Sequence, residues 1–289
     1  MKVATRLAAY GLAVACVAAG AWAVGAAVGP VTSSGTAPAS SHSMSERESG
    51  GTAIAGSLPG LAVAANGYRL VLDQDTVTAG TAQPFRFRIL GPDGTPATRF
   101  GVEQDKRLHL VLVRRDTSGY QHVHPDLAAD GTWSVPLTLP TAGTYRVFTD
   151  FTPEGGPRTT LGADVQVAGD YRPERSDRPV RTSTVDDYEV RLDGDLTPGH
   201  ETSVTATVTR GGTDVTDLQP YLGAGGHLVA LRAADLGYLH VHPAGDGASA
   251  GPRVRFAVEV PTAGRYRLFF DFQHGGRVRT AEFTVDTKA

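Results

Sequence analysis

His122 and His124 stand two residues apart in Tyr120-Gln121-His122-Val123-His124-Pro125, and His240 and His242 repeat the pattern in Tyr238-Leu239-His240-Val241-His242-Pro243. Along a strand, side chains alternate between faces, so each His-x-His step projects two imidazoles from one side. Neutral imidazole is the commonest metal ligand among side chains, and two at this spacing can share an ion. A third histidine precedes each step: His109 lies 13 residues before His122, and His227 lies 13 residues before His240. Two carboxylates join the candidates. Asp150 and Asp271 interrupt apolar, aromatic stretches, Val147-Phe148-Thr149-Asp150-Phe151 and Leu268-Phe269-Phe270-Asp271-Phe272. A buried carboxylate needs a partner. Each aspartate is therefore a fourth ligand, an acceptor that orients an imidazole, a loop cap, or the partner of an arginine such as Arg146 or Arg158.

Imidazole with carboxylate suits Cu(II) or Zn(II). The single cysteine, Cys16, lies in an apolar N-terminal stretch, and the two methionines include the initiator, so thiolate clusters and Met-rich Cu(I) sites are excluded. No Gly-x-Ser-x-Gly elbow, phosphate-binding loop, dinucleotide fingerprint or His-Glu-x-x-His motif is present. The chain reads as a binding protein, not an enzyme. Its net charge of −3, without a basic stripe, argues against nucleic acid.

The elements that position these groups are duplicated. "RLHLVLVRRDTSGYQHVHP" from Arg107 matches "GHLVALRAADLGYLHVHP" from Gly226, and "LPTAGTYRVFTDF" from Leu139 matches "VPTAGRYRLFFDF" from Val260. His109, His122 and His124 map onto His227, His240 and His242 with one offset of 118 residues, and Asp150 maps onto Asp271 with an offset of 121. A period this long is domain duplication, not a solenoid repeat. In the first copy, strands are expected at 68–72, 84–90, 107–114, 120–124, 132–139, 144–151 and 160–167, separated by Gly- and Asp-rich turns. About seven short strands per unit predict an all-β fold of two tandem immunoglobulin-like sandwiches. Tyr145 and Tyr266 read as corner tyrosines.

The expected hairpin over 107–124 decides where His109 falls. A four-residue loop, 115–118, puts His109 opposite His124, and a two-residue Thr117-Ser118 loop puts it diagonal to His124. In both registers the three imidazoles share a face, whereas a three- or five-residue loop would turn His109 away.

Lys2 and Arg6 precede an uncharged stretch, 7–31, long enough to cross a bilayer. The expected organisation is a membrane anchor at 1–31, a flexible tether at 32–60, a first sandwich at 61–168, a linker at 169–187 and a second sandwich at 188–289. The C-terminal region then lies outside the cell. Cleavage at Ala21-Trp22-Ala23, giving a secreted chain, is the alternative.

The segment from Tyr221 to Pro243, with Gly-His-Leu-Val and Tyr-x-His-Val-His-Pro, resembles actinobacterial membrane-anchored or secreted proteins labelled heavy-metal-associated, with tandem copper-resistance-like β-sandwich domains. The resemblance implies metal handling. The expected function is therefore an extracytoplasmic module that buffers, delivers or senses Cu(II) or Zn(II). Its partners would be the metal ion and a membrane or secreted protein. The alternative is a scaffold that binds a protein or a wall component, with structural histidines. The second copy is expected to be the better site, because Gly225 and Gly226 leave room before His227 and its hairpin lacks the charges of Arg114, Arg115 and Asp116.

Overall fold

The computed structural model describes residues 58–174, 178–239, 241–244 and 250–288. The expected anchor, most of the tether, Cys16 and His240 lie outside the described residues.

The described chain is all-β, and each repeat forms an immunoglobulin-like sandwich of two sheets. The first contains β1 (Ala64–Ala65), β2 (Tyr68–Leu72), β3 (Thr76–Thr78), β4 (Gln83–Leu90), β5 (Leu108–Arg114), β6 (Gln121–Val123), β7 (Asp126–Leu127), β8 (Thr132–Leu137), β9 (Gly143–Phe151) and β10 (Thr159–Ala168). Its sheets run β1-β2-β4-β8-β7 and β3-β10-β9-β5-β6. The second sandwich contains β11 (Thr182–Val185), β12 (Tyr188–Asp193), β13 (Glu201–Arg210), β14 (Thr213–Asp214), β15 (His227–Arg232), β16 (Tyr238–Leu239), β17 (Val241–Pro243), β18 (Arg253–Glu259), β19 (Arg265–His274) and β20 (Arg277–Asp286). Its sheets run β11-β12-β13-β18-β17, with β14 on β13, and β16-β15-β19-β20. β11 lies within the stretch read from sequence as linker.

Three apolar layers hold this fold. Leu108, Leu110 and Leu112 of β5 and Tyr145 and Val147 of β9 enter the first sandwich's core with Phe85, Phe87 and Trp133. Leu228 and Ala230 of β15 and Leu268, Phe270 and Phe272 of β19 enter the second core. The alternate residues of the same four strands, Val111, Val113, Phe148, Val229, Leu231 and Phe269, form a third cluster between the sandwiches with Leu236 and with Tyr238 of β16. Strands apolar on both faces must be covered on both faces. The β5–β9 and β15–β19 sheets therefore pack against each other, giving four β layers. The contacts reflect the duplication, since Tyr120 stacks on Phe269 at 4.0 Å and its counterpart Tyr238 meets Phe148 at 5.4 Å.

The hairpin follows the four-residue register. Leu110 faces Val123 and Val111 faces His122, so one further step places His109 opposite His124. β15 and β16 keep the equivalent register, Ala230 opposite Leu239. The copies then diverge. β17 leaves the inner sheet and pairs with β18 of the outer one, His242 opposite Ala257. The two tyrosines do anchor corners: the Tyr145 hydroxyl is 3.0 Å from Thr141 Oγ1, and the Tyr266 hydroxyl donates to the Thr262 carbonyl at 2.8 Å.

A candidate metal centre between the sandwiches

The third layer is apolar at its middle and carries histidines at one end. β5 presents His109 on the face that carries Val111 and Val113, and β15 presents His227 on the face that carries Val229 and Leu231. β6 delivers His122, and the residue pair beyond it delivers His124. One ligand nitrogen from each of His109, His122 and His227 lies within 4.8 Å of the other two. His109 Nδ1 is 3.1 Å from His122 Nε2 and 3.2 Å from His124 Nε2. Two nitrogens bound to one ion at about 2.0–2.1 Å stand roughly 2.9–3.4 Å apart for square-planar to tetrahedral angles.

The outer nitrogens assign the protons. His109 Nε2–H donates to the Glu103 carbonyl at 3.1 Å, an acceptor only. His122 Nδ1–H donates to Asp271 Oδ2 at 2.8 Å. Asp271 also accepts from Thr280 at Oδ1, 2.6 Å, and from Tyr120 at Oδ2, 3.3 Å. A neutral imidazole has one N–H. His109 Nδ1 and neutral His122 Nε2 are therefore both lone pairs, aimed at each other. Two lone pairs this close need a positive group beside them: a proton, which makes His122 an imidazolium, the N–H of His124, 3.2 Å from His109 Nδ1, or a metal ion.

Burial favours the neutral form of His109, His124 and His227. His109 is 2% exposed, and burial, reinforced by His122, lowers its pKa to about 4. Burial, then His122 and His109, lowers His124 to about 2. His227 falls well below the ordinary imidazole range through burial and the neighbouring rings. Asp271 and the His122 side chain are 2% and 1% exposed. The arrangement, a carboxylate behind an imidazole whose other nitrogen points into a cluster, is that of a metal ligand with its orienting partner.

The family described as Domain of unknown function (DUF8832) matches residues 62–172 and again 183–289. The chain belongs to the DUF8832 family. No match was found among curated proteins. Among solved structures, the chain is similar to the Escherichia coli adhesin FdeC, at 16% identity and a TM-score of 0.27, covering 79% of this chain and 66% of that one. It is also similar to Salmonella alpha-2-macroglobulin reacted with methylamine, at 13% identity and a TM-score of 0.28, covering 80% of this chain and 15% of that one. Titin Ig tandem domains A164-A165 match at 10% identity and a TM-score of 0.20, over 76% of this chain and 96% of that one.

Among the described residues, the two DUF8832 units do not contribute equally. The cluster takes His109, His122 and His124 from the first unit and His227 and Asp271 from the second. Of the second expected triad, His227 is buried at the interface, His242 is exposed on β17, which pairs with the outer sheet, and His240 lies outside the described residues. The two aspartates also differ. Asp150 is bound by Arg158, with Nε 3.1 Å from Oδ1 and Nη2 2.5 Å from Oδ2, and by Thr160. Thr160 and Thr280 occupy matching cross-strand positions, so the counterpart of Arg158 is Val278. With no arginine there, Asp271 Oδ2 is left to His122 and Tyr120.

The expected handicap of Arg114 and Arg115 does not reach the cluster. Arg114 is buried against Asp116, Glu174 and Thr141, and Arg115 pairs with Asp164. Gly226 has the close-approach role read from sequence. A Cβ there would sit 2.5 Å from Phe270 and 2.8 Å from the Asp271 carbonyl, so only glycine lets His227 enter β15 beside Asp271. Sequence reading did not single out Tyr120 or Thr280, whose hydroxyls hold Asp271. His274 bridges the Tyr188 hydroxyl at 2.7 Å and Asp217 at 3.0 Å.

Proposed function

We propose that this tandem DUF8832 protein binds one Cu(II) or Zn(II) ion between its sandwiches, through His109, His122 and His227. The carrying observation is the pair of opposed lone pairs on His109 and His122, whose outer nitrogens are committed to Glu103 and Asp271. The all-imidazole set, without cysteine or methionine, matches these ions. Burial of His109 and His227, 2% and 6% exposed, supports storage or delivery over catalysis, because a substrate would have little room at the ion. The uncharged stretch 7–31 supports placement at the outer face of the cell membrane. Among the described residues, no helix is long and apolar enough to cross a membrane. The reading is a surface module that buffers, delivers or senses the metal.

Titration of the purified chain with Cu(II) and with Zn(II), followed by elemental analysis after desalting, tests this. Retention of one ion per chain is expected. A chain that retains neither ion would return the histidines to a structural role and the protein to the scaffold reading.

A further inference from the structure

We infer that His124 is the exchange ligand of this centre, the residue that takes an ion from outside and passes it to the buried trio; the inference rests on the metal-binding reading above. Of the four clustered rings, His124 differs in position. His109 and His227 are buried and the His122 side chain is 1% exposed, while His124, like His122 as a whole residue, is half-buried. Its ring lies 5.0 Å from that of His109, 4.8 Å from that of His122 and 6.5 Å from the Tyr221 ring. It thus touches the inner ligands on one side and the rim on the other.

The rim is made of two equivalent turns. In one, Glu103 and Lys106 exchange backbone hydrogen bonds around Gln104 and Asp105, both with positive φ. In the other, Tyr221 and Ala224 do the same around Leu222 and Gly223. The Asp105 carboxylate reaches across, so that a Cβ on Gly223 would lie 3.7 Å from it. Glu103, Asp105, Lys106 and Arg107 are all exposed, so this turn carries two carboxylates and two cations.

The tautomers give His124 its role. His109 Nδ1 is a lone pair, so His124 Nε2–H donates to it, at 3.2 Å. A neutral His124 then carries its own lone pair on Nδ1. In the metal-free protein His124 both covers the lone pair that the ion needs and offers a second one of its own. An incoming hydrated ion meets His124 before the enclosed rings. Once the ion is bound there, displacing the His124–His109 hydrogen bond opens His109 to it. Exchange through a half-exposed ligand lets the ion shed water stepwise.

Stopped-flow loading of the full chain with Zn(II), and removal by a coloured chelator, tests this with His124→Phe, which keeps the bulk without a nitrogen, and His124→Ala. Both variants should slow loading and removal by about tenfold or more, the low end for groups beside a metal ligand, with equilibrium affinity changed much less. His122→Ala should instead lose affinity. Faster exchange in His124→Ala would make the residue a plug, and an affinity loss equal to that of His122→Ala at an unchanged loading rate would make it a permanent ligand; either overturns the inference. Wild-type exchange rates in both variants overturn it too, and leave the metal site standing. A wild-type chain that takes up no zinc or copper removes both.

Discussion

His109 and His227 come from different sandwiches, yet their rings lie parallel, 3° apart in plane and 5.5 Å between centroids. They occupy equivalent positions in the two repeats, at the starts of β5 and β15, each opposite an aspartate of the neighbouring strand. The duplication thus brings its two copies of one residue face to face. One ion between them would be shared by the copies. Retention should therefore be one ion per chain, and His109→Ala and His227→Ala should each abolish tight binding, with the double variant no worse than either. His242→Ala should leave binding unchanged. Calorimetric titration of the four variants checks this, and two ions per chain would contradict it.

Asp271 orients His122 and keeps its Nε2 bare. Asp271→Asn retains the shape but removes the charge. Loss of such an orienting carboxylate typically weakens metal affinity about 10–100-fold. The same titration should show this, with a folded protein verified by circular dichroism.

Asp150 is held differently, and its substitution should be felt in stability. Its carboxylate is 2% exposed and is neutralised by Arg158. Arg158→Ala breaks a buried ion pair, a change that costs about 3–5 kcal/mol, nearer the low end here because Arg158 is partly solvated and Asp150 keeps its hydrogen bond from Thr160. Urea denaturation of the metal-free chain measures it. Metal affinity should change far less than in Asp271→Asn.

The metal-free protein should lose stability as pH falls from about 6.5 towards 4. His109 is surrounded by the Glu103 carbonyl, His122, His124, His227, Asp150 and Arg158, and its folded pKa is lowered to about 4 from 6.5. Between these values the unfolded chain binds a proton that the folded chain does not, so acid favours unfolding, and this contribution is flat again below about pH 4. His109 alone accounts for at most about 3 kcal/mol. Melting temperatures measured across this range with chelator present, and again with Zn(II), should show the metal-loaded protein resisting the first part of the decline.

The apolar layer should make the sandwiches unfold together. Phe269 is fully buried and stacks on Tyr120. Phe269→Ala should cost about 3–5 kcal/mol. It should also split a single denaturation transition into two, seen as separate steps by tryptophan fluorescence and circular dichroism.

Much of this was legible in the residues alone. The offset of 118 between the histidine sets established duplication, the turn-bounded strands established the sandwiches, and the 13-residue spacing of His109 and His122 put both on one face under the four-residue hairpin. These are local properties, set by alternation along a strand and by loop length. The partnership between the copies was not local. Leu108–Val113 and Leu268–Phe272 are apolar on both faces, which signals a second covering layer, but only the folded chain shows that each sheet covers the other. That packing placed His227 against His109 and Asp271 against His122, 149 residues away in sequence. It also separated His242 from the cluster, since β17 changes sheets. The candidate centre is a property of an interface, and alternation along one strand cannot say which strand will face it.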